Sequence, residues 1–155
     1  MRRQRQRGLT LVELIVAFTI MLILTTMSVP LARSKVRAER ERELRFDLDD
    51  MRRAIDKYKD YADANAFGPI KQGTNGYPES LDQLVEGVKL ASSAKGEKMR
   101  FLRRIPRDPF TGKAEWGMRS DQDDPESASW GGQNVFDVFS KTSDKAPDGT
   151  CYCTW

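Results

Sequence analysis

The chain is 155 residues long, 32% charged and 9% aromatic, with a net charge of +3 and no histidine. That length holds one modest domain beside an apolar opening segment. Without histidine there is no Ser-His-Asp or Cys-His nucleophile, no imidazole-ligated zinc and no ordinary neutral-pH base. The positive charge is local: Arg2, Arg3, Arg5 and Arg7 precede Gly8, and removing those four takes the net charge from +3 to −1. A nucleic-acid partner is therefore not expected.

Leu9 to Ala32 is a run of 24 residues with a single charge, Glu13. As a helix it spans ~36 Å, enough for a bilayer core of ~30 Å. A secretory signal peptide fits poorly, because the run is long and no small-residue cleavage site precedes RSKVR. Basic residues flank both ends, so charge alone does not set the topology. A carboxylate inside such a run is costly unless paired, and it marks function by default. If the chain is cut after Gly8, Leu9 supplies an α-ammonium one helical turn from Glu13, or beside the Glu13 of another copy. Glu13 then acts as a register pin between packed helices. Pro30 follows TTMSV and cannot donate to the carbonyl of Thr26, so the helix is weakest there.

Beyond it, Leu44, Leu48, Met51, Ile55, Tyr58 and Ala62 step by four and three, which predicts an amphipathic helix with one apolar stripe. Its first part, 33–43, is almost wholly charged, with alternating sign. GPIKQGTNG closes the helix. A shorter helix is expected in YPESLDQLVEGVKLA, capped by Ser80 and turning Leu81, Leu84, Val85 and Val88 to one side. AEWGMRS and NVFDVFS read as strands, TCYCTW as a short final strand, and Trp116 and Trp130 as core or rim residues.

Catalytic signatures are missing: there is no P-loop, dinucleotide fingerprint, HExxH or GxSxG. Asp121, Asp123 and Asp124 form an acidic turn without the spacing of a calcium loop. Cys151 and Cys153 would share one face of a strand near the ~7 Å limit for a disulfide, so a bond needs a tight turn. Free thiols and a link to a neighbouring chain stay open.

The stretch RGLTLVELIV resembles the leader and N-terminal helix of type IV pilins and type II secretion pseudopilins. In that superfamily a prepilin peptidase cuts after the glycine and methylates the new N-terminus, and a glutamate stands at the fifth mature position. Gly8, Leu9 and Glu13 fall on those positions, with leucine where phenylalanine is usual. A proline at the place of Pro30 is associated there with local melting inside the filament. Further on, YPESL, RIPRDPFTG, FDVFS and an Asp-Gly turn resemble the major-pseudopilin family of type II secretion across nearly the whole chain. Members of that family bind a structural calcium after the FDVFS-like strand. Asp144 falls near one ligand position and Asp148 is a second candidate, which makes calcium the one cofactor to consider.

The resemblance implies an α+β, pilin-like fold: a long N-terminal helix whose second half packs on a small antiparallel sheet. The expected organisation is a leader at 1–8, a transmembrane and filament-core helix at 9–32, its amphipathic continuation at 33–65 and a periplasmic head at 66–155. The implied role is structural rather than enzymatic, a homopolymer in a periplasmic fibre that drives export. Its implied partners are the prepilin peptidase, minor pseudopilins, an inner-membrane platform, a cytoplasmic ATPase and an outer-membrane secretin. A surface pilus for adhesion or motility is the alternative, and a membrane-tethered binding domain that never polymerises is the second.

Overall fold

A computed structural model describes residues 10–93 and 96–155, with the side chains of 27–31 left out. Gly8 and Leu9 lie outside the described residues, as does the side chain of Pro30. One helix, α1, runs Leu11–Asp63 over 53 residues, and it is continuous through position 30. The chain divides into two compact units at Glu39 and Arg40.

In the first unit the Glu13 N–H donates to Thr10 Oγ1 at 3.3 Å, which caps the start of α1. Every large apolar side chain from Leu11 to Leu24 is exposed, by 46% to 76%. Threonine hydroxyls in this stretch turn back on the helix: Thr19 donates to the Val16 carbonyl at 2.8 Å and Thr25 to that of Met21 at 2.7 Å. That back-bonding satisfies the hydroxyls locally and leaves an almost wholly apolar surface.

The second unit holds the later half of α1 together with the head, and its core is built on the stripe expected from the helical spacing. Leu44, Leu48, Met51, Ile55, Tyr58 and Ala62 are all buried. They meet Leu84, Leu102, Trp116, Val135, Val138 and Tyr152 in one cluster. Full burial of each large side chain is worth about 1.5–3 kcal/mol, so the stripe is the main apolar anchor of the head.

Helix α2 spans Leu81–Glu86 and starts as expected: Ser80 Oγ accepts from the Gln83 N–H, and Gln83 Oε1 accepts from the Glu79 N–H at 2.8 Å. It ends sooner than expected. Gly87 has a φ of 80°, and a Cβ there would lie 2.6 Å from the Met99 carbonyl oxygen. Val88 is consequently not on the helix but in β1, Val88–Lys89, paired antiparallel with β2, Lys98–Met99.

β3, Trp116–Arg119, and β4, Asp137–Ser140, form a second antiparallel pair with Trp116 opposite Ser140 and Arg119 opposite Asp137. They are shorter cores of the two expected strands. TCYCTW is not a strand: Cys151 makes a lone bridge with Lys145, and Tyr152–Thr154 is a 3-10 turn. A covalent bond accompanies the turn. Cys151 and Cys153 form a disulfide with Cα atoms 5.1 Å apart, whereas extended chain would set them about 6.6 Å apart. Trp116 is buried and Trp130 is a rim residue, 38% exposed.

Candidate functional site

Three places carry the chemistry. The first is the start of α1. Glu13 sits in its first turn, where negative charge is favoured by the exposed N–H groups of the helix end. Thr10 and Glu13 also stand at capping-box spacing, a local role that T-x-x-E could have announced and that the apolar run around it obscures. The apolar surface behind Glu13 stays exposed within its own unit. Among the described residues no helical stretch is both long and apolar enough to cross a membrane. The part with described side chains, 11–26, is about 24 Å of helix.

The second is a set of polar contacts fastening α1 to the head. Arg52 donates from Nε to Asp137 Oδ1 at 2.7 Å, and from one Nη to the carbonyls of Val138 at 3.2 Å and Trp155 at 2.8 Å. Asp137 is also paired with Arg119, whose guanidinium lies 4.1 Å above the Phe139 ring. Asp108 is fully buried and fully used, accepting from the Phe110 and Thr111 N–H groups and from Ser140 Oγ at 2.6 Å. Asp47, half-buried on α1, is pushed up to about 6 by burial and then by Glu43, Asp50 and Asp108, with Arg104 opposing. The partners of Arg52 and the Ser140 partner of Asp108 lie 32 or more residues away in the chain, so no local pattern could have announced them.

The third is the acidic loops. Asp121 accepts from Asn134 at 2.7 Å and Asn75 at 2.6 Å, and Asp123 from the Ser120 and Gly131 N–H groups, which hold its carboxyl below the usual range. Asp124 accepts from the Glu126 N–H. These carboxylates fold the loop. Asp148 Oδ1 accepts from both the hydroxyl and the N–H of Thr150, which lowers its pKa, while the Asp144 carbonyl accepts from the Tyr152 N–H. Among the described residues no three acidic, histidine or cysteine side chains converge as a metal site. A calcium shell of 6–8 oxygens would have to be completed by carbonyls that this loop already uses in part. Asp144 and Asp148 by themselves do not fill that shell.

A long helix, half of it packed by one stripe against small antiparallel sheets, together with a capped glutamate opening an apolar surface, defines a pilin-like protein. The description of the prokaryotic N-terminal methylation motif matches residues 3–29. The chain is 31% identical to type II secretion system core protein G of Klebsiella michiganensis over 149 residues, covering 95% of this chain and 90% of that one. It is 31% identical to the Klebsiella pneumoniae protein of the same name, covering 94% and 90%, and 31% identical to that of Escherichia coli K12, covering 68% of each. No solved structure matches. The chain belongs to the family of type II secretion system core protein G, the major pseudopilins, and carries the motif of prepilin peptidase processing.

Proposed function

We propose that this chain is the structural subunit of a periplasmic pseudopilus, cut between Gly8 and Leu9, methylated at Leu9, and polymerised through its N-terminal helix. The observation that carries the reading is the row of exposed apolar side chains from Leu11 to Leu24 behind one acid, Glu13. Burying such a surface requires lipid before assembly and neighbouring helices after it. Residues 9–32 cross the inner membrane in the precursor and leave the head in the periplasm. In the fibre, Glu13 pairs with the amine of Leu9 of an adjacent copy, and the helix loosens around Pro30. The prepilin peptidase, minor pseudopilins and the inner-membrane platform are its partners, and the chain performs no reaction.

Deleting the gene and comparing the culture supernatant with that of the parent tests this. A defined set of exoproteins should disappear, to be restored by the wild-type gene and not by Glu13→Ala. An unchanged supernatant accompanied by missing surface fibres would replace the secretion reading with a pilus. Intact mass gives an independent check, since a mature chain still starting at Met1 sinks the processing step.

A further inference from the structure

The disulfide joins the residues on either side of Tyr152 at the last turn. Cys151 and Cys153 are half-buried, and Cys153 lines an open groove of about 440 Å³ with Trp116, Met118, Trp130 and Phe139. Between the two cysteines Tyr152 is fully buried. Its ring stacks on Phe110 at 4.2 Å and meets Trp155 edge-on at 4.7 Å, and its hydroxyl donates to Glu41 Oε1 at 2.5 Å. Trp155 extends the grip along α1: its carbonyl accepts from Arg52 and its ring lies under the Arg45 guanidinium at 4.1 Å. The end of the chain thus holds α1 at Glu41, Arg45 and Arg52.

We propose that the Cys151–Cys153 pair is a thiol–disulfide exchange site served by a dithiol–disulfide oxidoreductase, and that forming this bond latches Tyr152 and Trp155 onto α1. The bond holds the two Cα atoms at 5.1 Å, well inside the ~6.6 Å of extended chain, and it occurs together with the 3-10 turn. That turn places Tyr152 inward, while Cys151 and Cys153 on either side of it are only half-buried and Cys153 lines the open groove. The ring closed by the bond is very short, so opening it frees little chain entropy. The stripe from Leu44 to Ala62 therefore keeps its packing when the latch opens.

In closing, a thiolate of the reduced pair attacks one sulfur of the partner's disulfide and forms a mixed disulfide. The second cysteine of this chain, as thiolate, then attacks its neighbour's sulfur, closing Cys151–Cys153 and releasing the partner as a dithiol. Two electrons and two protons pass from this chain to the partner. Where that partner is met rests on the periplasmic placement proposed above; the exchange itself does not.

The test uses the full chain in detergent micelles, with thioredoxin as the probe. Alkylation before reduction should add nothing to the intact mass. Brief incubation with reduced thioredoxin, without denaturant, should expose two thiols. Hydrogen exchange should then rise at least tenfold across residues 150–155 and stay unchanged in α1 from Leu44 to Ala62, with the head midpoint lower by about 5 °C through the lost contacts of Tyr152 and Trp155. Oxidised glutathione should restore both. Cys153→Ser, lacking the resolving thiol, should accumulate a mixed disulfide through Cys151. Two reactive thiols at the outset, a disulfide opened only by denaturant, or opening with unchanged exchange across residues 150–155 would each overturn the proposal. Reduction is read on the wild-type chain, so a cysteine variant that fails to fold leaves the test intact. A supernatant phenotype is not part of the readout, so failure here and failure of the secretion role are separate results.

Discussion

Arg52 on α1 and Asp137 on β4 stand 2.7 Å apart, and the same guanidinium reaches the carbonyls of Val138 and Trp155. One planar fork thereby ties the helix, a strand and the last turn together. Both side chains are about a third exposed or less, so the pair is partly screened. Arg52→Ala should cost about 1–3 kcal/mol in chemical denaturation, mainly by stranding Asp137 and two carbonyls. Arg52→Lys should recover little, because an ammonium cannot present donors in three fixed directions. A double-mutant cycle with Asp137→Ala should return a coupling of roughly 0.5–1.5 kcal/mol. Additivity within error would show that the contact is ornamental.

Gly117 is opposite Phe139 in the β3–β4 pair, and a Cβ at Gly117 would lie 2.3 Å from that ring. The glycine is there for close approach, with no unusual φ involved. Gly117→Ala should lower stability by about 1–3 kcal/mol, and Phe139→Ala in the same chain should relieve part of that loss. A thermal melt of the two single variants and the pair checks the sign. A pair as unstable as the sum of its parts would remove the steric explanation.

Asp47 takes its proton more readily folded than unfolded, with a folded pKa of about 6 against an ordinary 3.8. Between those values the folded state binds more protons. Its contribution to stability is therefore fully present below about pH 4 and is lost as pH rises through about 6. Around it stand Glu43, Asp50 and Asp108 as like charges and Arg104 as the countercharge of note. Asp47→Asn should raise head stability at pH 7 by about 1 kcal/mol after allowance for solvent screening, and leave it unchanged at pH 4. Melts at the two pH values decide, and an equal effect at both would assign the gain to something other than ionisation.

Asp148 closes its turn through Thr150, which offers it both an N–H and a hydroxyl. Asp148→Ala should lower the thermal midpoint of the head through the lost turn. The drop should be the same in calcium and in chelator. A loss seen only with calcium would instead make Asp144 and Asp148 ligands, with carbonyls turning outward to complete the shell.

Glu13→Gln and Glu13→Ala should leave the melting of the head unchanged, since Glu13 lies in the other unit. Cysteine cross-linking of neighbouring helices in membranes should fall at least tenfold for both. Normal cross-linking by the alanine variant would return Glu13 to a purely local role at the helix start.

What the amino-acid sequence determined by itself was whatever depends on near neighbours. The stripe from Leu44 to Ala62 is legible because helical period places those side chains on one face whatever they later meet. Ser80 is legible as a cap because its partner, Gln83, is three residues away. The N-terminal methylation motif is legible because it is one contiguous stretch, matched over residues 3–29. Tertiary structure decided the rest. Helix α2 stops at Gly87 because the Met99 carbonyl comes too close for a Cβ, a fact carried by a strand twelve residues away. CYCTW alternates like a strand but curls, with the disulfide drawing Cys151 and Cys153 together and the burial of Tyr152 against Phe110 and Glu41 favouring the curl. Arg52 looks like any solvated arginine in RRAIDKYK, and only the arrival of β4 and Trp155 beside it makes it the tie between helix and head. Local propensity is readable one turn at a time, whereas packing depends on groups that the chain brings together only once it has folded.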